Sequence, residues 1–203
     1  MQSSELLSSL GQIDIYLIDQ VMRGRVARGD VIFDAGCGHG RNLAYFLSEG
    51  FEVLAVDADR DAVAAARRLA AGIGHGARAD IRAESLETAS FTDGRADVVV
   101  SSAVLHFARN DEQFDGMLRG SWRVLRAGGV FFARLASSIG IEDRVVQVEG
   151  RVHRLPDGTT RYLVDEPFLV DRTRQLGGRL LDPIKTTVVQ DQRAMTTWVV
   201  RKD

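Results

Sequence analysis

Residues 31–42 read V-I-F-D-A-G-C-G-H-G-R-N, and they constrain the fold more than any other stretch of the 203-residue chain. A short apolar run ends at Asp34, glycines follow at positions 36, 38 and 40, and Leu43-Ala-Tyr-Phe-Leu47 then has helical character. Strand, glycine loop and helix in that order let an open α/β sheet bring a ligand against bare backbone. Glycine has no Cβ, so the chain turns tightly and a bulky group can lie against it. The spacing does not fit the G-x-G-x-x-G dinucleotide fingerprint. Counted from Gly36 the third glycine falls on Arg41, and counted from Gly38 it falls on Leu43.

The alternation continues along the chain. Residues 13–23 place Ile13, Leu17, Ile18 and Val21 at helical spacing. Residues 51–57 read as a second strand, and Asp59 as the N-cap of an alanine-rich helix over 60–71 that Gly72 ends. A short strand over 79–83 follows. Residues 97–102 form a continuous apolar strand, of the kind buried on both faces of a parallel sheet. A helix over 111–125 leads through Ala127-Gly-Gly129 into a strand over 130–135. This is the pattern of a parallel sheet with crossover helices. The ending differs. The strand-like runs 179–189 and 194–200 are joined by Gln-Asp-Gln-Arg, too short for a parallel crossover, so they predict an antiparallel hairpin. Between the two regions, Pro156-Asp-Gly-Thr159 predicts a turn and a second hairpin, followed by a helix near 166–176.

Composition narrows the partners. With 45% hydrophobic and 27% charged residues the chain reads as one globular domain with a real core. A net charge of −2 does not favour a nucleic acid. The single cysteine, Cys37, excludes an internal disulfide and a multi-cysteine zinc site. His39, His75, His106 and His153 lie on separate elements without metal-ligand spacing, so no metal is expected. No apolar run has the length of a membrane span, and the first residues lack the regions of a signal peptide. The expectation is a cytoplasmic protein with no membrane partner.

With its leading Asp34, the glycine motif resembles the first motif of class I S-adenosylmethionine-dependent methyltransferases. Other positions match that family in order. Asp57 ends the second strand, 21 positions after Gly36. Glu84-Ser85 follow the third strand, with Glu where the family more often has Asp. Ser101-Ser102 end the fourth, and Ala103-Val-Leu-His-Phe107 come next. Residues 122–129, W-R-V-L-R-A-G-G, resemble the family's R-V-L-K-P-G-G turn with Ala127 in the proline position. Gly40-Arg-Asn42 is similar to a subgroup around the tellurite-type methyltransferases. The resemblance covers roughly residues 30–135, and the closing hairpin matches by shape. It implies a Rossmann-like, doubly wound α/β sheet, mostly parallel, with a C-terminal antiparallel hairpin. The single domain then divides into an N-terminal helical segment (1–29), a cofactor-binding core (30–137), a hairpin insertion (138–165), and a C-terminal helix with the closing hairpin (166–203).

The resemblance also implies the cofactor, S-adenosylmethionine, with S-adenosylhomocysteine as product, and a set of residues to hold it. Ala35, Gly36, Cys37, Gly38 and Gly40 supply backbone, and Asp34 touches the ligand or orients loop amides. Arg41 and Asn42 open the helix, with Arg41 a candidate for the cofactor carboxylate or a substrate anion. Asp57, with Ala58 beside it, takes both ribose hydroxyls, since a carboxylate accepts two donors at once. Glu84 and Ser85 stand near the adenine amino group, and Ser101 and Ser102 complete the set. Each has a plainer reading. Cys37 is a small buried hydrophobe, and Glu84 a solvated loop acid. Tyr16 covers the site or simply packs. His106 follows the carboxyl end of a strand, where open α/β sheets bind ligands; it is a candidate general base, or else a packing histidine.

The function implied is methyl transfer to an unidentified small-molecule acceptor. A thiolate, amine or chalcogen anion needs no base, whereas a hydroxyl would call on His106. Segment 138–165 is expected to select the acceptor or to form a homodimer contact. The alternatives are a cofactor-binding module without catalysis and a nicotinamide-dependent oxidoreductase, which the glycine spacing and the closing hairpin disfavour. A nucleic-acid methyltransferase is disfavoured by the charge and by Ser101-Ser-Ala-Val104 standing where an N-P-P-Y-like motif would be.

Overall fold

The computed structural model describes residues 10–73 and 76–203. Residues 1–9 of the expected N-terminal helical segment, and His75, lie outside the described residues. Five parallel strands carry the first half of the fold: β1 (Val31–Ala35), β2 (Glu52–Asp57), β3 (Ala79–Ala83), β4 (Ala96–Ser102) and β5 (Leu125–Ser137). The strand order is β3-β2-β1-β4-β5-β11-β10, and β11 (Arg193–Lys202) runs antiparallel to β5. The order reverses beside β1, and in open α/β sheets the crevice at that point takes the ligand.

Period-two alternation explains the continuous apolar run of β4. Val98 and Val100 join Ile32, Val53 and Phe132 in a core on one face, while Val99 joins Phe33, Leu54, Phe131 and Trp198 on the other. Helices cover both faces: α1 (Ile15–Met22), α2 (Leu43–Ser48), α3 (Arg60–Ala71), α4 (Asp111–Val124) and α5 (Glu166–Gln175). Local chemistry starts them. Asp59 Oδ1 accepts from the amides of Asp61 and Ala62, as the N-cap reading expects. Asn110 caps α4 through the Gln113 amide, and Asp165 caps α5 through the Phe168 amide. Asp14 caps α1 through the Tyr16 amide.

Three local expectations are corrected. The run 179–189 is two strands, β9 (Gly178–Leu180) and β10 (Lys185–Val189), both antiparallel to β11. Pro183, which has no N–H for the ladder, breaks the run, and Asp182 turns away to bind Arg25 through two carboxylate oxygens. The closing hairpin itself is present, as β10 and β11. β5 starts at Leu125 rather than at residue 130, because Ala127-Gly-Gly129 is a register shift inside the strand and not a turn before it. The Asp-Gly hairpin gains an unforeseen third strand. β6 (Val146–Glu149) pairs with β7 (Val152–Arg154), which pairs with β8 (Thr160–Tyr162). Tyr162 seats this small sheet on α4: its ring stacks on Phe114 at 4.8 Å, and its hydroxyl donates to Asp111 Oδ1 at 2.9 Å. Among the described residues, no helix is long and apolar enough to cross a membrane.

Candidate functional site

The carboxyl ends of β1, β2, β3 and β4 open into a cavity of about 570 Å³, a volume usual for small-molecule sites. The β1–α2 loop makes its floor. Gly36 sits at φ +92, and a Cβ there would stand 2.5 Å from both methyl carbons of Val104, so only glycine leaves the cradle open. The amides of Gly36 and Cys37 donate to the Val56 carbonyl at 3.0 and 2.9 Å, pinning the loop to β2. Gly38 donates to Asp57 Oδ2 at 2.8 Å, and the Asp59 amide to Asp57 Oδ1 at 2.9 Å. Each oxygen of Asp57 therefore accepts one amide and keeps further acceptor capacity toward the cavity.

Of the residues singled out from sequence, Gly36, Cys37, Gly38, Arg41, Asn42, Asp57, Ala58, Glu84, Ser85 and Ser102 line this cavity. Glu84 is held in place rather than loosely solvated: Ser90 donates to both its oxygens, through its amide and its hydroxyl, each at 2.7 Å. Ser102 is part of a hydrogen-bond chain that runs from the exposed Arg41 to the buried Asp14. Arg41 donates to Ser102 Oγ at 2.9 Å, and Ser102 Oγ donates to Asp14 Oδ2 at 2.8 Å. The Asp14 amide then donates to Asn42 Oδ1 at 3.1 Å. This ties α1 to two cavity-lining elements.

Ala35, Asp34, Gly40, Ser101 and His106 do not line the cavity. Gly40 answers to packing: a Cβ there would stand 2.9 Å from Leu69 of α3. Ser101 is fully buried and its hydroxyl has no partner among the described residues. Asp34 does not orient the loop amides, which Val56 and Asp57 hold instead. It is 2% exposed and neither oxygen has a hydrogen-bond partner among the described residues. Burial pushes its carboxyl up to about 7, against the pull of the Arg41 charge. Cys37 is a buried thiol whose acidity burial suppresses strongly, with the Asp34 and Asp57 charges adding to the effect, so it is no nucleophile.

His106 as a general base is also corrected by the geometry. The chain leaves β4 through Ala103, at φ +64, and enters a short 3-10 turn over Leu105–Phe107. That turn sends Phe107 to the cavity and His106 inward. His106 Nδ1 accepts the Ala136 amide at 3.1 Å, and so serves β5 rather than a substrate. Burial, then the charges of Arg161 and Arg134, lower its pKa to about 4. It is neutral at pH 7, with its acceptor nitrogen occupied. Tyr16 donates or accepts a 2.6 Å bond with the Thr187 hydroxyl and lies under the Arg134 guanidinium, so it fastens α1 to β10.

Sequence reasoning missed His39, Leu86, Glu87, Ala103, Val104, Phe107, Gln113 and Met117, all of which line the cavity. Leu86 and Met117 give it an apolar end. Their signal in the sequence was position alone, just past β3 and one face into α4. Among the described residues, no three His, Cys, Asp or Glu side chains gather as metal ligands.

The chemistry of the lining fits S-adenosylmethionine. The Gly36–Gly38 cradle admits a bulky group, and the acceptor-only Asp57 suits a ribose diol. The orphaned carboxyl of Asp34 lies beneath the loop with its acceptor capacity unspent among the described residues.

The methyltransferase-domain family matches residues 33–133. An uncharacterized methyltransferase of Schizosaccharomyces pombe is 30% identical over 151 residues, which is 73% of this chain and 55% of that protein; the chain thus spans about half of that relative's length. A solved S-adenosylmethionine-dependent methyltransferase of Methanosarcina mazei superposes with a TM-score of 0.75 at 19% identity, covering 90% of this chain and 96% of that one. The 1,6-didemethyltoxoflavin N1-methyltransferase of Burkholderia thailandensis, solved with 1,6-didemethyltoxoflavin and S-adenosylhomocysteine, superposes with a TM-score of 0.70 at 24% identity, covering 92% and 75%. Both superpositions speak for the fold.

Proposed function

Because the chain belongs to the class I S-adenosylmethionine-dependent methyltransferases, we propose that it transfers the methyl group of S-adenosylmethionine to a small-molecule acceptor. The observation that carries this reading is the Gly36–Gly38 cradle facing Asp57 across one cavity at the carboxyl ends of β1 and β2. When bound, the cofactor supplies a methyl group on a positively charged sulfur that becomes neutral as the methyl leaves. The protein's work is therefore alignment and exclusion of water more than covalent chemistry.

The residues divide that work. Asp57 takes the ribose hydroxyls with the acceptor capacity its two amide bonds leave free. Glu84, Ser85 and Leu86 bound the adenine end, where Met117 adds an apolar wall. Arg41, anchored through Ser102, faces the carboxylate of the amino-acid end. The acceptor enters on the side of Ser102, Ala103 and Phe107. His106 acts as a positioning residue, bonding the Ala136 amide and so fixing the turn that presents Phe107. With His106 turned inward, the Ser102–Phe107 side of the cavity offers the acceptor no imidazole base, which favours an acceptor that is already nucleophilic. The β6–β8 sheet, part of segment 138–165, borders the acceptor side through Arg161 and Phe107, which favours acceptor selection over a dimer contact for this insertion.

Calorimetric titration with S-adenosylmethionine, S-adenosylhomocysteine and NADH tests the proposal. Micromolar binding of the first two and none of NADH is expected. Asp57→Ala is expected to weaken S-adenosylhomocysteine by roughly 100-fold, as two charge-assisted hydrogen bonds are lost, without unfolding the chain. Binding of NADH alone, or an unaltered affinity in Asp57→Ala, counts against the assignment.

A further inference from the structure

The wall of the cavity from Ser102 to Phe107 is unusually apolar at one point and positively charged around it. Phe107 is a large side chain left 59% exposed at the cavity rim. The Arg161 guanidinium lies over its ring, 4.8 Å from the centroid. Arg161 hydrogen-bonds the Thr160 carbonyl at 2.7 Å and makes no ion pair among the described residues. The acid on the β7–β8 turn, Asp157, stays ionised and accepts through one oxygen from both the Thr159 amide and hydroxyl, without an ion pair to Arg161 among the described residues.

A second guanidinium stands on the same side. Arg134, at the carboxyl end of β5, lies 3.4 Å from Asp14 Oδ2, and Arg41 lies 3.6 Å from the same oxygen. Two cations thus share one buried carboxylate, and the Nε of Arg134 is buried with no acceptor among the described residues. Arg161 and Arg134 both border the turn that carries Phe107: Arg161 lies over the ring itself, and the Arg134 carbonyl accepts the Ala103 amide at 2.7 Å. Arg41 and Arg134 face Asp14, whereas Arg161 has no carboxylate within ion-pair distance among the described residues, so the Phe107 edge keeps one guanidinium open to an anion. A cationic acceptor would meet repulsion and desolvation there, while an anion would find unspent hydrogen-bond donors.

We infer that the methyl acceptor is a small organic anion whose flat apolar body lies against Phe107 and whose carboxylate or phosphate is held by Arg161, within the field of Arg134. This deepens the methyltransferase reading of the cavity and rests on it. Four probes share one flat ring and differ in charge: benzoate, phenyl phosphate, benzamide and benzylamine. They are titrated calorimetrically into the full chain saturated with S-adenosylhomocysteine. Benzoate or phenyl phosphate binds, and which of them binds more tightly separates a carboxylate acceptor from a phosphate one. Benzamide and benzylamine bind weaker by about tenfold or more. Arg161→Gln weakens the anion by roughly 10–100-fold, the loss of a charge-assisted hydrogen bond, and leaves S-adenosylhomocysteine affinity and melting temperature unchanged. Arg161→Lys restores part of the loss.

Equal binding of the neutral or cationic probes overturns the inference. So does an unchanged anion affinity in Arg161→Gln, or the absence of anion binding to a complex that does hold S-adenosylhomocysteine. Failure of S-adenosylhomocysteine to bind the wild-type chain overturns the methyltransferase reading instead, and the same anion titrations into the free protein then decide the role of Arg161 separately.

Discussion

Asp34 gives the sharpest thermodynamic prediction. Its carboxyl is 2% exposed, neither oxygen is hydrogen-bonded among the described residues, and burial raises its pKa from 3.8 to about 7. The folded chain therefore holds this proton more tightly than the unfolded chain. Between roughly pH 4 and 7 the unfolded carboxyl has lost its proton while the folded one keeps it. Stability must fall as pH rises through that window, and above it the full penalty remains. About three pKa units at about 1.36 kcal/mol each amount to about 4 kcal/mol. Asparagine has nearly the same shape and no charge. Asp34→Asn is thus expected to match the wild type near pH 4 and to exceed its stability by up to about 4 kcal/mol at pH 8. Urea unfolding with linear extrapolation, repeated in buffers across that range, measures the difference. A variant whose advantage is the same at pH 4 and pH 8, or absent at pH 8, refutes the reasoning. S-adenosylmethionine affinity is expected to fall in the same variant. A costly buried carboxylate beneath a ligand loop is where stability and function pull apart.

Further outcomes follow from the same geometry. Gly36→Ala places a methyl group 2.5 Å from Val104 at a positive φ, so it is expected to cost about 1–3 kcal/mol and to abolish S-adenosylhomocysteine binding; a variant with wild-type melting temperature and affinity would contradict the close approach. His106→Ala leaves the buried Ala136 amide without its acceptor and is expected to destabilise by about 1–3 kcal/mol, read by thermal unfolding. The folded pKa of His106 lies at about 4, below its ordinary 6.5, so the stability it contributes is present above that ordinary value and lost as pH falls toward 4, by about 3 kcal/mol in all. In His106→Gln the acid limb of the stability curve should flatten, and a limb as steep as the wild type's would sink the assignment.

The sheet was legible in the sequence because its signals are local and redundant. Val98-Val-Val100 is apolar on both faces, and Asp59, Gly72 and Gly50 punctuate the helices. The Gln-Asp-Gln-Arg connection admits one pairing only. What escaped were features decided by contacts distant in sequence. Nothing near Asp182 or Pro183 announces that Arg25 will reach across 157 positions to take the carboxylate and break the edge strand. Nothing in Val146–Glu149, all exposed, says that β7 will need a partner on that side.

The site shows where motif reading stops and side-chain direction begins. Positions marked by conformation, such as Gly36, Gly38 and Asp57, fall on the cavity, because a turn and a strand end fix where they point. Positions chosen for their chemistry divide: Arg41 and Glu84 reach the cavity, whereas His106 does not. His106 and Phe107 are neighbours, and sequence reasoning prefers the imidazole because it can move a proton. One residue of rotation in a 3-10 turn is about 120°, enough to bury one side chain and present the other. The imidazole then spends its acceptor nitrogen on Ala136, while the phenyl ring stays in the open beneath Arg161. A base buried at the foot of that turn and an apolar, positively flanked wall above it are parts of one arrangement. The first withdraws the imidazole of His106 from the acceptor side, which favours an acceptor that brings its own nucleophile. The second leaves unspent cationic donors beside an aromatic surface, so the acceptor that fits must bring a negative charge as well.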